Sequence, residues 1–134
     1  MASAGDGRFS EFNFLVDLGT AGGPHAGFQE ISQIGKSHGL NKATDVTMKR
    51  GVISSSTLED WLNQLRKAPQ AHRAVKITLQ GERHRRSGAW NLLRAVIVKY
   101  VGPSLNGAAA EIAIDELVLR CDKIEVDSPK PSSS

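Results

Sequence analysis

The chain has 134 residues, enough for one domain and too few for two. Its 17 Lys and Arg against 14 Asp and Glu leave a net charge of +3, too mild for the dense basic patch of a dedicated duplex-DNA binder. The single Cys121 excludes a disulfide framework within the chain and any four-cysteine metal site.

Met1 to Arg8 are mostly small and polar and read as a flexible N-terminal tail rather than a signal peptide. The longest apolar stretch, Ala95 to Val98, falls far short of the ~20 residues that span a bilayer. The expectation is cytoplasmic synthesis with no membrane anchor. Phe12, Phe14, Val16 and Leu18 then alternate, a period of two that predicts a strand with one buried face. Gly19 to Pro24 predicts a turn, and a second strand follows from about Gly27 to Ile34, anchored by Phe28. Gly35 to Ala43 reads as loop. Val46 and Met48 alternate with Thr47 and Lys49 in a short third strand ending near Gly51.

The period then changes. Leu58, Trp61, Leu62 and Leu65 fall at i, i+3, i+4 and i+7, the apolar stripe of an amphipathic helix. Ser56-Thr57-Leu58-Glu59 has the form of a capping box. Arg66 and Lys67 suit the negative end of the helix dipole, and Pro69 blocks continuation. Val75, Ile77 and Leu79 predict a fourth strand, and Gln80 to Gly88 a polar hairpin connection. Trp90 to Tyr100 predicts a long fifth strand, with Ala95 to Val98 twisted or buried on both faces. Gly-Pro and Asn-Gly make Val101 to Ala109 a loop. The last strand runs from about Glu111 to Val126. Its buried parity changes from Ile112 and Ile114 to Leu117, Leu119 and Cys121, which predicts a bulge near Asp115 and Glu116. Residues 127–134 carry two prolines and four serines and read as a flexible C-terminal tail. Residues 9–126 should form a single domain, mainly β: a small antiparallel barrel or sandwich with one outer helix.

No constellation for chemistry emerges. There is no G-x-S-x-G elbow, and Ser54, Ser55 and Ser56 are better used in capping the helix. Cys121 shares the strand parity of core residues and reads as a small hydrophobe. His25, His38, His72 and His84 lie in separate loops without metal-ligand spacing. Glu59-Asp60 and Asp115-Glu116 are adjacent pairs whose side chains point apart, so neither makes a carboxylate dyad. The glycine-rich stretch from Gly19 to Gly27 opens no helix and cannot cradle a phosphate there. Glu82-Arg83-His84-Arg85-Arg86 is the densest charge run. It contains no Phe, Tyr or Trp for base stacking and reads as a solvated hairpin tip. No catalytic, cofactor-binding or metal-binding residue is expected, nor any cofactor or enzymatic activity; a structural or interaction role leads.

Four ordered segments resemble the tail-tube proteins of contractile phage tails and related contractile injection systems. The first is Phe12-Asn13-Phe14-Leu15-Val16 with Ala26-Gly27-Phe28-Gln29-Glu30-Ile31-Ser32. The second is Gly39-Leu40-Asn41-Lys42 with Asp45-Val46-Thr47-Met48-Lys49-Arg50-Gly51-Val52, in which Val-Thr-Met-Lys-Arg-Gly is the sharpest part. The third is the helical Leu58-Glu59-Asp60-Trp61-Leu62. The fourth joins Trp90 to Ala95, Lys99-Tyr100, Gly102-Pro103, Leu105-Asn106 and Ile112 to Leu119.

The resemblance implies a barrel-like body with one outer helix, as in the tube proteins of type VI secretion. It implies hexameric rings stacked into a hollow tube, contractile sheath and baseplate proteins as partners, and DNA or protein cargo in the lumen. Such a subunit would end in a phage tail or injection particle. One departure stands out: family members carry a long hairpin insertion after the second strand. Here only Gln33 to His38 separate Ser32 from Gly39-Leu40-Asn41-Lys42. This leaves open a tube adaptor or initiator subunit at the baseplate end. The reading from another class is a nucleic-acid-binding β-barrel module using Arg83 to Arg86; a small hydrolase is disfavoured by the missing nucleophile and base.

Overall fold

A computed structural model describes Phe9 and residues 11–20, 22–32, 43–80, 86–105 and 109–126. The two tails, the connection from Gln33 to Lys42 with its departure from the family hairpin, and the run from Glu82 to Arg85 lie outside those residues. The described elements are β1 (Phe14–Asp17), β2 (Ala26–Ser32), β3 (Thr44–Ser54), α1 (Ser55–Lys67), β4 (Arg73–Gln80), β5 (Arg86–Val101), β6 (Glu111–Cys121) and β7 (Lys123–Val126).

All strand pairs are antiparallel, in the order β4-β1-β2-β3-β6-β5-β7, and β4 also pairs with β5. That last pairing closes six strands into a barrel and decides against a sandwich. Closure leaves no open edge where all six strands pair. β7 extends β6: the register Val96↔Arg120 continues as Leu93↔Lys123, and the Asp122 N–H donates to the Leu93 carbonyl at 2.9 Å.

Alternation fills the interior. Val16, Phe28, Val46, Met48, Ile53, Val75, Ile77, Leu92, Ile114, Leu117, Leu119 and Cys121 all pack into one cluster. Phe9, ahead of the first strand, is also buried. The Phe9–Phe12 turn lies over Gly27, where an added Cβ would stand 2.6 Å from the Phe12 ring.

The turn between β1 and β2 has the expected glycine chemistry: Gly19 and Gly22 both adopt φ of 89°. His25 fastens it. The Leu18 N–H donates to His25 Nδ1 at 3.0 Å, so the ring proton sits on Nε2, 3.1 Å from the Thr20 hydroxyl.

The helix follows its predicted stripe, with Leu58 and Trp61 fully buried and Leu62 and Leu65 packed against the core. Its start differs from the expected capping box. Ser54 is the N-cap and accepts from the Thr57 N–H at 3.5 Å, while Ser56 and Glu59 make no reciprocal cap. The reason is tertiary. The Ser55 N–H and hydroxyl bond the Ala110 and Ala109 carbonyls at 2.9 and 2.6 Å, pinning the first helical turn to the chain entering β6. At the other end Trp61 Nε1 donates to the Ala71 carbonyl at 3.1 Å. The Arg73 guanidinium lies 5.2 Å from the Trp61 ring centroid and bonds the Gln64 side chain. Burial lowers the Arg73 pKa, partly offset by Asp60.

Three strand expectations need correction. β3 continues through Gly51 to Ser54, because Gly51 packs its bare backbone against Gly27 and Phe28, where any Cβ would collide. Ala95 to Val98 is not buried on both faces: Ala95 is buried and Val98 is 41% exposed. The parity change in β6 is real, but it is not a bulge in that strand. The β3–β6 register is the same on both sides, Lys49↔Glu116 and Gly51↔Ile114. β3 changes its buried parity at the same level, from Met48 to Ile53, through Arg50 at φ 57°. β2 changes likewise, from buried Phe28 to core-packed Ile31. The three strands invert together, so no residue is left over. The register shift falls instead in β5, between Ile97 and Lys99, where Val98 is the extra residue.

Candidate functional site: an open four-stranded section

The open section lies between the ends of the two pairings that close the barrel. At the inversion, β1 ends its pairing with β2 at Phe14↔Phe28; at the opposite end of the section, beside Cys121, β4 ends its pairing with β5 at Arg73↔Ala95. The sheet β2-β3-β6-β5 continues between them. Its lateral edges are Glu30–Ser32 of β2 and Val96–Val101 of β5, and neither has a strand neighbour on its outer side among the described residues.

The two faces of this section differ. Ile31, Met48, Leu117 and Tyr100 form one row across it and pack on the core. The neighbouring rows, Glu30-Lys49-Glu116-Val101 and Ser32-Thr47-Val118-Lys99, lie on the opposite, largely polar face. Arg120 donates to both Asp45 oxygens, at 2.8 and 3.2 Å, which holds its proton more firmly than usual. Lys99 Nζ lies 3.5 Å from Glu116, and Arg50 pairs with Glu30.

The edges also carry shape. A depression of about 420 Å³ follows the β2 edge, lined by residues that include Phe14, Ile31, Thr47 and Lys49. On the β5 edge, Val98 and Val101 are 41% and 37% exposed, two of the few large apolar side chains left in solvent. Tyr100 braces the end of β5 by donating to the Pro103 carbonyl at 2.6 Å, and burial raises its pKa.

The residues weighed for chemistry are dispersed. Cys121 is fully buried, and burial pushes its thiol up to about 11. His25 is committed to its turn and His72 borders an outer depression with Arg73, Arg94, Asp122 and Lys123. His38 and His84 lie outside the described residues. Among the described residues no cluster of three or more His, Cys, Asp or Glu could hold a metal ion. None of their helices is long and apolar enough to cross a membrane. Unpaired edge strands are expected of a small barrel that builds a ring, but the sequence reading did not place them on β2 and β5. Their one signal was Val98 and Val101 beside Lys99, an apolar edge broken by a charge.

The family model for the T4-like virus tail tube protein gp19 matches residues 35–125. The chain belongs to that family. Its role is therefore structural and associated with a tail tube. Solved structures agree on the tail-tube fold. A chain from the PVC sheath-tube complex of an extracellular contractile injection system in the extended state has 19% identity and a TM-score of 0.55, with 88% of this chain and 90% of that chain covered. A chain from the PVC sheath/tube terminator has 19% identity and a TM-score of 0.58, over 87% and 94%. One from the anti-feeding prophage tube-terminating cap has 20% identity and a TM-score of 0.52, over 88% and 89%. No curated protein matches the chain.

Proposed function

We propose that this tail tube family member is a non-enzymatic subunit of the inner tube of a contractile phage tail or injection particle. It forms hexameric rings that stack around a channel for protein or DNA cargo, inside a contractile sheath and on a baseplate. The observation that carries the reading is the pair of open edges on one four-stranded section. Exposed edges invite strand addition, and a protein that keeps two of them in register has a use for both. Going across the section, β2, β3, β6 and β5 alternate in direction. Rotation about an axis along the strands preserves direction, so β5 of one copy meets β2 of the next as an antiparallel pair. Each junction uses two different edges, the head-to-tail geometry that generates a closed ring. Six copies contribute roughly 24 strands, and at ~4.8 Å between strands the backbone circle is at least about 37 Å across.

A tube-end subunit, at the baseplate or the terminator, is the second reading. It is favoured by the short connection after Ser32 and by the similarity to chains of a sheath/tube terminator and a terminating cap. Native mass measurement and negative-stain imaging test the assembly. Hexamers with a central opening are expected; a chain that stays monomeric at high concentration with tube partners present would refute the ring. Tubes that extend only from baseplate or terminator components would favour the second reading.

A further inference from the structure

Each junction inside the open section is spanned by one ion pair. Glu30 of β2 meets Arg50 of β3, Asp45 of β3 meets Arg120 of β6, and Glu116 of β6 meets Lys99 of β5. In every pair the carboxylate comes from the strand nearer the β2 edge and the cation from the strand nearer the β5 edge. At the two ends the chemistry is unmixed. Gln29–Ser32 carries a carboxylate and no cation, and Val96–Val101 carries an ammonium and no carboxylate.

We propose that a second copy of this chain completes the belt, with Lys99 on the β5 edge of one copy engaging Glu30 on the β2 edge of the next. The inference rests on the ring reading and adds to it the residues that decide which edges join. Both groups have capacity to spare. An ammonium has three donors, and Lys99 spends one on Glu116. A carboxylate has two oxygens, and Arg50 uses one oxygen of Glu30. Both side chains are more than half exposed in the single chain, at 56% and 53%. Lys99 shares a row with Ser32, two residues along the edge strand from Glu30, so both charges lie on the same polar face. The depression along β2 receives the apolar side chains flanking Lys99, which draws the charged pair out of bulk water. The belt also rejects wrong pairings: two β2 edges would oppose carboxylates, and two β5 edges ammoniums.

The test uses two charge reversals of the full chain. Glu30→Lys gives a copy with cations on both edges, and Lys99→Glu one with carboxylates on both. Each alone places like charges at every junction, and we expect loss of the ring species at concentrations where the unaltered chain forms rings. Mixed one to one, the two variants restore opposite charges at every junction of an alternating ring, and rings should return. Closure of that mixture requires an even number of copies. The double variant Glu30→Lys/Lys99→Glu should form rings unaided. Far-ultraviolet dichroism and melting curves establish that each monomer is folded. Rings from either single variant alone, at unaltered yield, would overturn the belt while leaving the ring reading intact. Failure of both the mixture and the folded double variant would overturn it as well. An unaltered chain that never forms rings would overturn both.

Discussion

Trp61→Ala should be among the most damaging single changes in this molecule. The ring is fully buried between the helix and the barrel, and its Nε1–H holds the Ala71 carbonyl at 3.1 Å. Truncating a buried tryptophan to alanine costs about 3–5 kcal/mol in lost transfer energy and residual cavity. Here two further contacts disappear: the hydrogen bond that fixes the return from helix to β4, and the stacking of the Arg73 guanidinium 5.2 Å from the ring centroid. These overlap with the truncation cost, so the upper part of that range is expected. For a domain of this size that corresponds to a fall in melting temperature of roughly 10–20 °C. Trp61→Phe keeps a buried aromatic ring but loses the Nε1 donor and part of the indole volume; about half the loss should return. Thermal and chemical denaturation of the isolated chain measure both. A Trp61→Ala variant melting within about 2 °C of the parent would show that the helix does not anchor through this face.

Gly51→Ala should deplete folded protein by more than the ~1–3 kcal/mol of ordinary overpacking, because the new methyl meets the Gly27 backbone as well as the Phe28 ring; a soluble variant with unchanged stability would contradict that packing. Ser54→Ala should cost about 0.5–2 kcal/mol and Ser56→Ala much less, and the reverse order in melting experiments would reinstate Ser56 as the cap. Cys121 should resist alkylation at neutral pH in the native chain and react on unfolding. Its raised pKa also makes a stability claim. Below about 9.0 the thiol is neutral in both states; above it the unfolded thiol ionises first, so stability falls as pH climbs toward about 11. Cys121→Ala should flatten part of that alkaline decline, and a decline of identical slope in the variant would refute the assignment.

Local pattern and long-range pairing divide the explanation of this chain. The helix was legible because Leu58, Trp61, Leu62 and Leu65 repeat at a period that only a helix brings to one side. The parity change in β6 was legible for a similar reason: burial alternates along one strand, and Ile114 and Leu117 cannot share a face without an interruption. What caused the interruption was not legible. It depends on Arg50 in β3 and on the matching change in β2, strands remote in sequence that invert with β6. The N-cap was misplaced because local spacing favoured Ser56, whereas the contact of Ser55 with Ala109 and Ala110 shifted the helix start by two residues.

The sequence by itself determined the elements, their apolar faces, the absence of a motif for chemistry and the resemblance to tail tubes, because these depend on residue type at short spacing. Tertiary structure alone decided that the sheet closes, that closure fails beyond Phe28 and Ala95, and that Glu30 and Lys99 stand on the two edges left open. Those facts are properties of register, and register is set by backbone hydrogen bonds between segments up to 77 residues apart, as where Thr44 of β3 stands opposite Cys121 of β6. Side-chain periodicity constrains which face a strand buries; it does not specify where its neighbour stops.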